Sequence, residues 1–353
     1  MWAMMQPMDY AFCVAPMLDW TDRHCRVFHR QLTRRAVLYT EMITTGALLH
    51  ADVARLLEHA HDGPVALQIG GSEPAEVAQA ARMGERWGYD EINLNCGCPS
   101  ERVQRGAFGA CLMAEPRTVA DCVAAMRDAV HLPVTVKHRI GLGRNEDYGF
   151  VRDFVGTVAD AGCGLFVMHA RNAWLEGLSP KQNREVPPLR HDVVHRLAGE
   201  FPRLRFVVNG GLATHAQALA AGRGLAGVMV GREAYRNPWM LAEVDRLHYG
   251  GAGRPAPDRA AVVAWLVAYA AAQVAGGTPL RAITRHVLGL FNGMAGARAW
   301  RRMLSDAALL RDNDPALIER AHAAVVAAGA EAAAGAEAAA GVGLDAATAP
   351  CPG

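Results

Sequence analysis

Short runs of β-branched and other apolar residues recur along the first two thirds of the chain, each followed by a segment whose apolar residues fall at helical spacing. The runs predict strands at Phe12–Ala15, Val37–Thr40, Val65–Ile69, Glu91–Asn95, Val134–Lys137, Leu165–His169, Phe206–Asn209 and Gly227–Val230. Between them, segments such as Pro74–Trp87 and Arg117–Ala129 carry Glu or Pro near their starts, as helices do. Eight strands alternating with helices predict a parallel (β/α)8 TIM barrel, with a doubly wound sheet as the other arrangement such alternation allows.

Polar residues stand where the apolar runs end. Glu41, Gln68, Asn95, Lys137, His169, Asn209 and Gly231 each close or directly follow a run. Polarity normally returns at strand ends, so one such position says little. In a barrel, however, all seven open on the C-terminal face, where active sites sit.

After Tyr249 the pattern changes. A Gly- and Pro-rich linker at 250–258 precedes two or three helical segments, and from 329 onward an Ala/Gly/Glu repeat has almost nothing to bury. The expected organisation is a barrel over 1–249, a small helical domain over 250–328 and a disordered tail over 329–353, in which Cys351 has no assigned role. The uncharged stretch Ala260–Leu280 is apolar only as far as Gln273, which suits a buried helix better than a membrane span.

Composition narrows the class. Of 353 residues 51% are hydrophobic and 20% charged, and the formal net charge of +1 excludes a wholly basic nucleic-acid coat while leaving room for a local basic face. The stretch Met1–Cys13 lacks a basic segment followed by an apolar one, so no secretory signal is expected. Cysteines at 13, 25, 96, 98, 111, 122, 163 and 351 form no CxxC pair. In a chain this long they read as reduced thiols of the cytoplasm, and no metal site is expected.

The candidate chemistry lies at the strand exits. Asn209-Gly210-Gly211 and Gly231-Arg232 follow the seventh and eighth strands, where barrels commonly bind phosphate through backbone N–H groups, and Arg232 adds a charged clamp. Lys137 can pair with phosphate, form a Schiff base or lie beside an electron-rich ring; His169 can donate or transfer a proton; the Gln68 amide suits the edge of a flavin or pyrimidine. Spacing alone does not separate a flavin mononucleotide pocket from that of a sugar-phosphate aldolase or isomerase. In Asn95-Cys96-Gly97-Cys98-Pro99-Ser100 no second Cys/His pair lies at metal-ligand spacing, so Cys98 reads as an acid or nucleophile in the barrel mouth. Cys13, Cys25, Cys111, Cys122 and Cys163 read as inert. Two further stretches concern partners. The long sixth loop, Ala170–Pro188, with Arg171, Trp174, Lys181 and Arg184, reads as a lid or binding loop. Arg281–Arg302, with five arginines, His286 and no acid, reads either as a solvated face or as a phosphate-backbone footprint, the missing acids favouring the footprint at least equally.

These residues resemble the tRNA-dihydrouridine synthases. The matching motifs are Ala15-Pro16-Met17, Tyr39-Thr40-Glu41-Met42, Ala66-Leu67-Gln68-Ile69-Gly70-Gly71, Ile92-Asn93-Leu94-Asn95-Cys96-Gly97-Cys98-Pro99, Val136-Lys137-His138-Arg139, His169-Ala170-Arg171, Asn209-Gly210-Gly211 and Gly231-Arg232-Glu233-Ala234. The likeness covers Ala11 to Leu310, and Leu178–Glu185 is similar to the A subfamily, which reduces uridines 20 and 20a of the tRNA D-loop. The resemblance implies FMN, reduced by NADPH (with NADH as the other option), bound by Ala15, Pro16, Met17, Gln68, Lys137, His169, Asn209, Gly210, Gly211, Gly231 and Arg232. It implies tRNA contacts from Asn95, Lys181, Arg184, Arg298 and Arg301, Cys98 as proton donor, a cytoplasmic location, and no stable protein partner. Cys96 departs from the subfamily's usual aliphatic residue and is expected to put a second thiol beside the reactive one. A dehydrogenase of a free pyrimidine or dihydroorotate-like metabolite is the alternative, though it has no need of the acid-free arginine stretch. A lyase using Lys137 as Schiff base and a noncatalytic RNA-binding barrel are further readings.

Overall fold

The protein is described by a computed structural model covering residues 8–60, 63–250 and 257–345. Its strands are β1 (Phe12–Val14), β2 (Val37–Thr44), β3 (Val65–Gly70), β4 (Glu91–Cys96), β5 (Val134–Arg139), β6 (Leu165–His169), β7 (Arg205–Asn209) and β8 (Gly227–Val230). They pair in parallel in chain order, and β8 closes onto β1 to complete a TIM barrel. Helices connect successive strands, among them Pro74–Arg86 and Pro116–Ala129, each begun by a proline whose missing N–H has no partner to lose there.

Strand parity decides what enters the lumen. Side chains alternate along a strand, so Glu91, Asn93 and Asn95 of β4 face inward while Ile92, Leu94 and Cys96 face the helices. The same alternation on β5 sends Thr135, Lys137 and Arg139 inward and His138 outward, against Phe154 and Phe166. The lower lumen is built from Tyr10, Cys13, Val37, Tyr39, Ala66, Leu165, Val167, Val207 and Met229, with the carboxyl of Glu91 bonded to Tyr39 among them. Above it the lining turns polar, and the top is the candidate site.

Two compact units divide the described residues: 8–234 with 240–250, and 235–239 with 257–345. The change in composition at Tyr249 suggests a later boundary, yet Tyr235–Trp239 belong to the second unit. Backbone and ring contacts hold them there: Tyr235 Oη donates to Arg285 O at 3.1 Å, Asn292 Nδ2 donates to Arg236 O, and the Arg259 guanidinium lies 3.8 Å from the centre of the Trp239 ring.

Helix Arg259–Ala275 buries Val262, Val263, Leu266 and Ala270 within the second unit. Among the described residues no helix is long and apolar enough to cross a membrane. Helix Ala297–Ser305 is anchored by Trp300, whose indole Nε1 donates to Val287 O at 2.9 Å and whose ring meets Phe291 edge-on. The chain differs from expectation in its tail. Helix Ala316–Asp345 runs through the repeat expected to be disordered, because alanine has the highest helix propensity even where there is little to bury. Positions 346–353, with Cys351, lie outside the described residues.

Candidate active site

The loop after β4 is shaped by one side chain. Asn95 Oδ1 accepts from the amides of Gly97, at 3.1 Å, and Cys98, at 3.0 Å, folding Asn95–Cys98 into a tight turn. Gly109 locks the turn from behind. Ala110 N donates to Cys98 O at 2.9 Å, and a Cβ on Gly109 (φ +77°) would lie 2.7 Å from that oxygen and 2.4 Å from Val103 Cγ1. Cys98 is left half-buried, its Sγ 3.4 Å from Ser100 Oγ. Ser100 occupies the N-cap of helix Glu101–Arg105, yet its hydroxyl makes no capping bond there and meets the thiol instead.

Asn95 also ends a chain of polar contacts descending the lumen. Its Nδ2 donates to Gln68 Oε1 (2.8 Å), Gln68 Nε2 to Asn93 Oδ1 (2.7 Å) and Asn93 Nδ2 to Thr135 Oγ1 (2.7 Å). Thr135 in turn donates to Glu91, which also accepts from Tyr39 Oη at 2.9 Å. Each donor has one acceptor, so the sense of both amides is determined, and one N–H of Gln68 and one of Asn95 remain for a guest. Burial pushes the Glu91 carboxyl up to about 7, with the hydroxyls opposing.

Cations crowd the same mouth. Lys137 Nζ donates to Asn209 Oδ1 at 3.2 Å, and burial, with Arg139 next, lowers the Lys137 amine to about 7. Burial, then Arg139, Lys137, Arg171 and Arg184, holds His169 well below the ordinary imidazole range, so it is neutral at pH 7. Arg232 pairs with Glu185 of the sixth loop. The surplus of positive charge suits an anionic guest.

The glycines after β7 are required where they stand. Gly210 (φ +114°) and Gly211 (φ +71°) lie in the region that favours glycine, and a Cβ on Gly210 would come 2.7 Å from His169 Cδ2. On the far side, Ala15 N donates to Val230 O at 2.8 Å and Met17 N donates to Thr21 Oγ1 at 3.0 Å, which places the Ala15–Met17 turn beside Gly231.

The sixth loop closes on itself through buried Asn183, whose amide bonds the backbone of Trp174 in both directions at 2.8 and 2.9 Å. Lys181 and Arg184 are exposed on its surface. The loop is sewn to the one after β5 by Ala173 N to Gly141 O, Gly143 N to Ala173 O, and Arg144 stacked on Trp174.

The residues of the barrel read as a site thus come together at one mouth: Ala15, Pro16, Met17, Gln68, Asn95, Cys98, Lys137, His169, Asn209–Gly211, Gly231 and Arg232, with Lys181 and Arg184 above. Glu41 does not mark the end of its strand; it lies at a bulge within β2, between Tyr39 and Met42, and accepts from Asp19 N. Cys96 is not beside Cys98 in the mouth. It is fully buried on the helix-facing side, among Cys111, Cys122 and Cys163, where burial raises its thiol far above the usual range. Cys111 is half-buried rather than buried. Among the described residues no His, Cys, Asp and Glu group could hold a metal.

Arg139, Gln104, Asn93 and Thr135 are not singled out by sequence, though Arg139 and Thr135 share Lys137's parity and Asn93 shares that of Asn95. In the second unit, Arg298 is exposed, and Arg301 Nη1 donates to Asn292 Oδ1 at 2.8 Å. A groove of about 560 Å³ there is lined by Arg281, Arg285 and Arg311 without an acid among its lining residues.

Residues 13–327 match the family described as dihydrouridine synthase (Dus). A Pseudomonas putida protein named tRNA-dihydrouridine(20/20a) synthase is 55% identical over 83% of this chain and 88% of its own length. Its namesakes from Escherichia coli K12 (53% identity; 88% of this chain, 90% of theirs) and Shewanella oneidensis (52%; 85% and 89%) are similar over most of the chain as well.

Proposed function

The chain belongs to the dihydrouridine synthase family, and we propose that it reduces the C5–C6 bond of uridines 20 and 20a in the tRNA D-loop, with Cys98 as the proton donor. The positions are those printed in the names of its relatives. The observation that carries the reading is Cys98 itself, a half-exposed thiol fixed by Asn95 at the edge of a cationic barrel mouth.

The mouth fits flavin mononucleotide. Gly210 and Gly211 keep the turn after β7 bare where a Cβ would collide with His169 and Leu189, Arg232 begins the helix Arg232–Arg236, and one N–H of buried Gln68 is left for a polar ring edge. Ala15, Pro16, Met17, Lys137, His169, Asn209 and Gly231 complete the wall. When bound and reduced by NADPH, or by NADH, the flavin supplies hydride to C6 of uracil.

The chain's own residues do the rest. Lys137 and Arg139 hold negative charge at the mouth. Cys98 Sγ delivers a proton at C5, the general-acid step that quenches the charge left by hydride addition at C6. Ser100 Oγ, 3.4 Å away, can hydrogen-bond the resulting thiolate. A stacked base must leave its stack to reach the mouth, at a cost of a few kcal/mol. Contacts from Asn95, Lys181, Arg184, Arg298 and Arg301 offset that cost. The substrate places this work in the cytoplasm.

The test is mass spectrometry of tRNA from cells lacking the gene, complemented with wild type or Cys98→Ala. Loss of the two added hydrogens at positions 20 and 20a, restored by wild type alone, is expected. Intact dihydrouridine there in the deletion strain overturns the assignment.

A further inference from the structure

The Cys98 loop is held to the sixth loop by two side chains to which the sequence assigns no role. Gln104, on the short helix Glu101–Arg105, donates through Nε2 both to Pro99 O at 2.9 Å and to Leu175 O at 3.0 Å. Pro99 follows the thiol directly; Leu175 belongs to the loop that carries Lys181 and Arg184. Beneath it, buried Arg139 repeats the bridge. Its Nε donates to Gly97 O at 3.1 Å, and its Nη1 to Asn172 O at 3.3 Å and Asn183 O at 2.9 Å. The thiol therefore sits between two carbonyls, Gly97 O and Pro99 O, each joined through one side chain to the same distant loop.

The two bridges differ in role. Arg139 is 3% exposed and held by three carbonyls, so it forms the permanent floor. Gln104 is half-buried and neutral, and a neutral hydrogen bond is readily exchanged. Asn183, itself pinned by Arg139, closes the sixth loop on itself through Trp174 and Leu178, so Leu175 lies in the same bonded segment as Lys181 and Arg184.

We propose that Gln104 is a positioning residue that couples the sixth loop to the donor thiol, so that RNA seated on Lys181 and Arg184 sets where Cys98 Sγ stands. This rests on the proposed function for the roles of Cys98 and the sixth loop. Gln104 itself touches neither substrate nor cofactor.

The test is the rate at which iodoacetamide alkylates Cys98 in the full-length flavin-loaded protein, read by mass spectrometry of the peptide containing it, with and without unmodified tRNA. Gln104→Met keeps the volume and removes both donors. Wild type should show a clear change in rate on adding tRNA. In Gln104→Met the tRNA-free rate should rise on the order of tenfold, the response to tRNA should vanish, and kcat for dihydrouridine formation should fall while the tRNA Kd holds. Gln104→Asn, too short to span both carbonyls, should behave alike and serves if the Met variant does not fold. A Gln104→Met or Gln104→Asn protein whose Cys98 alkylation still responds to tRNA as in wild type overturns the coupling. Cys98→Ala, assayed in parallel, isolates the underlying reading: full activity there removes the thiol from its role whatever Gln104 does.

Discussion

The side-chain oxygen of Asn95 accepts the backbone amide of Cys98 at 3.0 Å, and through its own amide nitrogen Asn95 is joined to Gln68. One residue therefore sets both the thiol and the Gln68 amide at the barrel mouth. The thiol is held by backbone geometry, so its removal should spare everything but proton delivery. Cys98→Ala should retain flavin and oxidise NADPH at the wild-type rate while dihydrouridine formation falls by about 10²–10⁴-fold, the usual contribution of a general acid. Stopped-flow absorbance and tRNA mass spectrometry read the two halves separately; equal product yield would remove Cys98 from the chemistry.

Cys96 supplies the contrast. It faces the helix layer, so Cys96→Val should change turnover by less than about threefold, with a stability loss of about 1 kcal/mol from packing the larger side chain. Thermal melts and steady-state rates check this. A large loss of activity at unchanged stability would show that the second thiol takes part.

Gly109 offers a way to move the thiol without altering it. At φ +77°, with Cys98 O 2.7 Å from where a Cβ would stand, Gly109→Ala must shift the Asn95–Ser100 turn. Expected are a stability loss of about 1–3 kcal/mol and slower uridine reduction with flavin content intact. Wild-type values in both denaturation and single-turnover assays would contradict the geometry.

Arg298→Glu with Arg301→Glu should weaken tRNA binding and flatten its dependence on salt, by about 0.9 in the logarithmic slope for each phosphate no longer neutralised. Affinity measured at two salt concentrations decides the matter, and an unchanged slope would take these residues out of the footprint.

Glu91 makes stability depend on pH in a stated direction. Its folded carboxyl keeps a proton up to about 7, whereas the unfolded one releases it near 4.5. Between those values the folded state binds more protons, so this group's contribution falls as pH rises from 4.5 through 7. Glu91→Gln, neutral throughout, should gain on wild type across that window by up to about 3 kcal/mol. Urea titrations at pH 5 and pH 8 test it; an equal difference at the two values would mean that the carboxyl ionises normally.

Order along the chain carried much of this. Eight apolar runs separated by helical spacing are a local pattern, and local pattern suffices to name strands, helices and the polar residues at their ends. The runs at β6 and β8 needed no adjustment; β2 resumes after the bulge at Glu41 with Met42 and Ile43, and β5 extends through buried His138 and Arg139 because polar residues continue a strand when both of its faces are covered. The alanine-rich tail departs from its expected disorder since lack of burial does not prevent a helix where propensity is high.

By itself, then, the sequence determined the alternation that makes a barrel, the residues at its mouth, and the Asn95–Ser100 motif that carries the family resemblance. Only the closed structure decided that Cys96 and Cys98 are on opposite sides of a wall, that Tyr235–Trp239 leave the barrel's unit, and that Gln104 and Arg139 tie two loops together. The physical reason is shared: parity acquires a meaning only when the sheet closes, and the partners of Gln104 and Arg139 are backbone carbonyls. Every residue has one, so no side-chain pattern can announce which will be within reach.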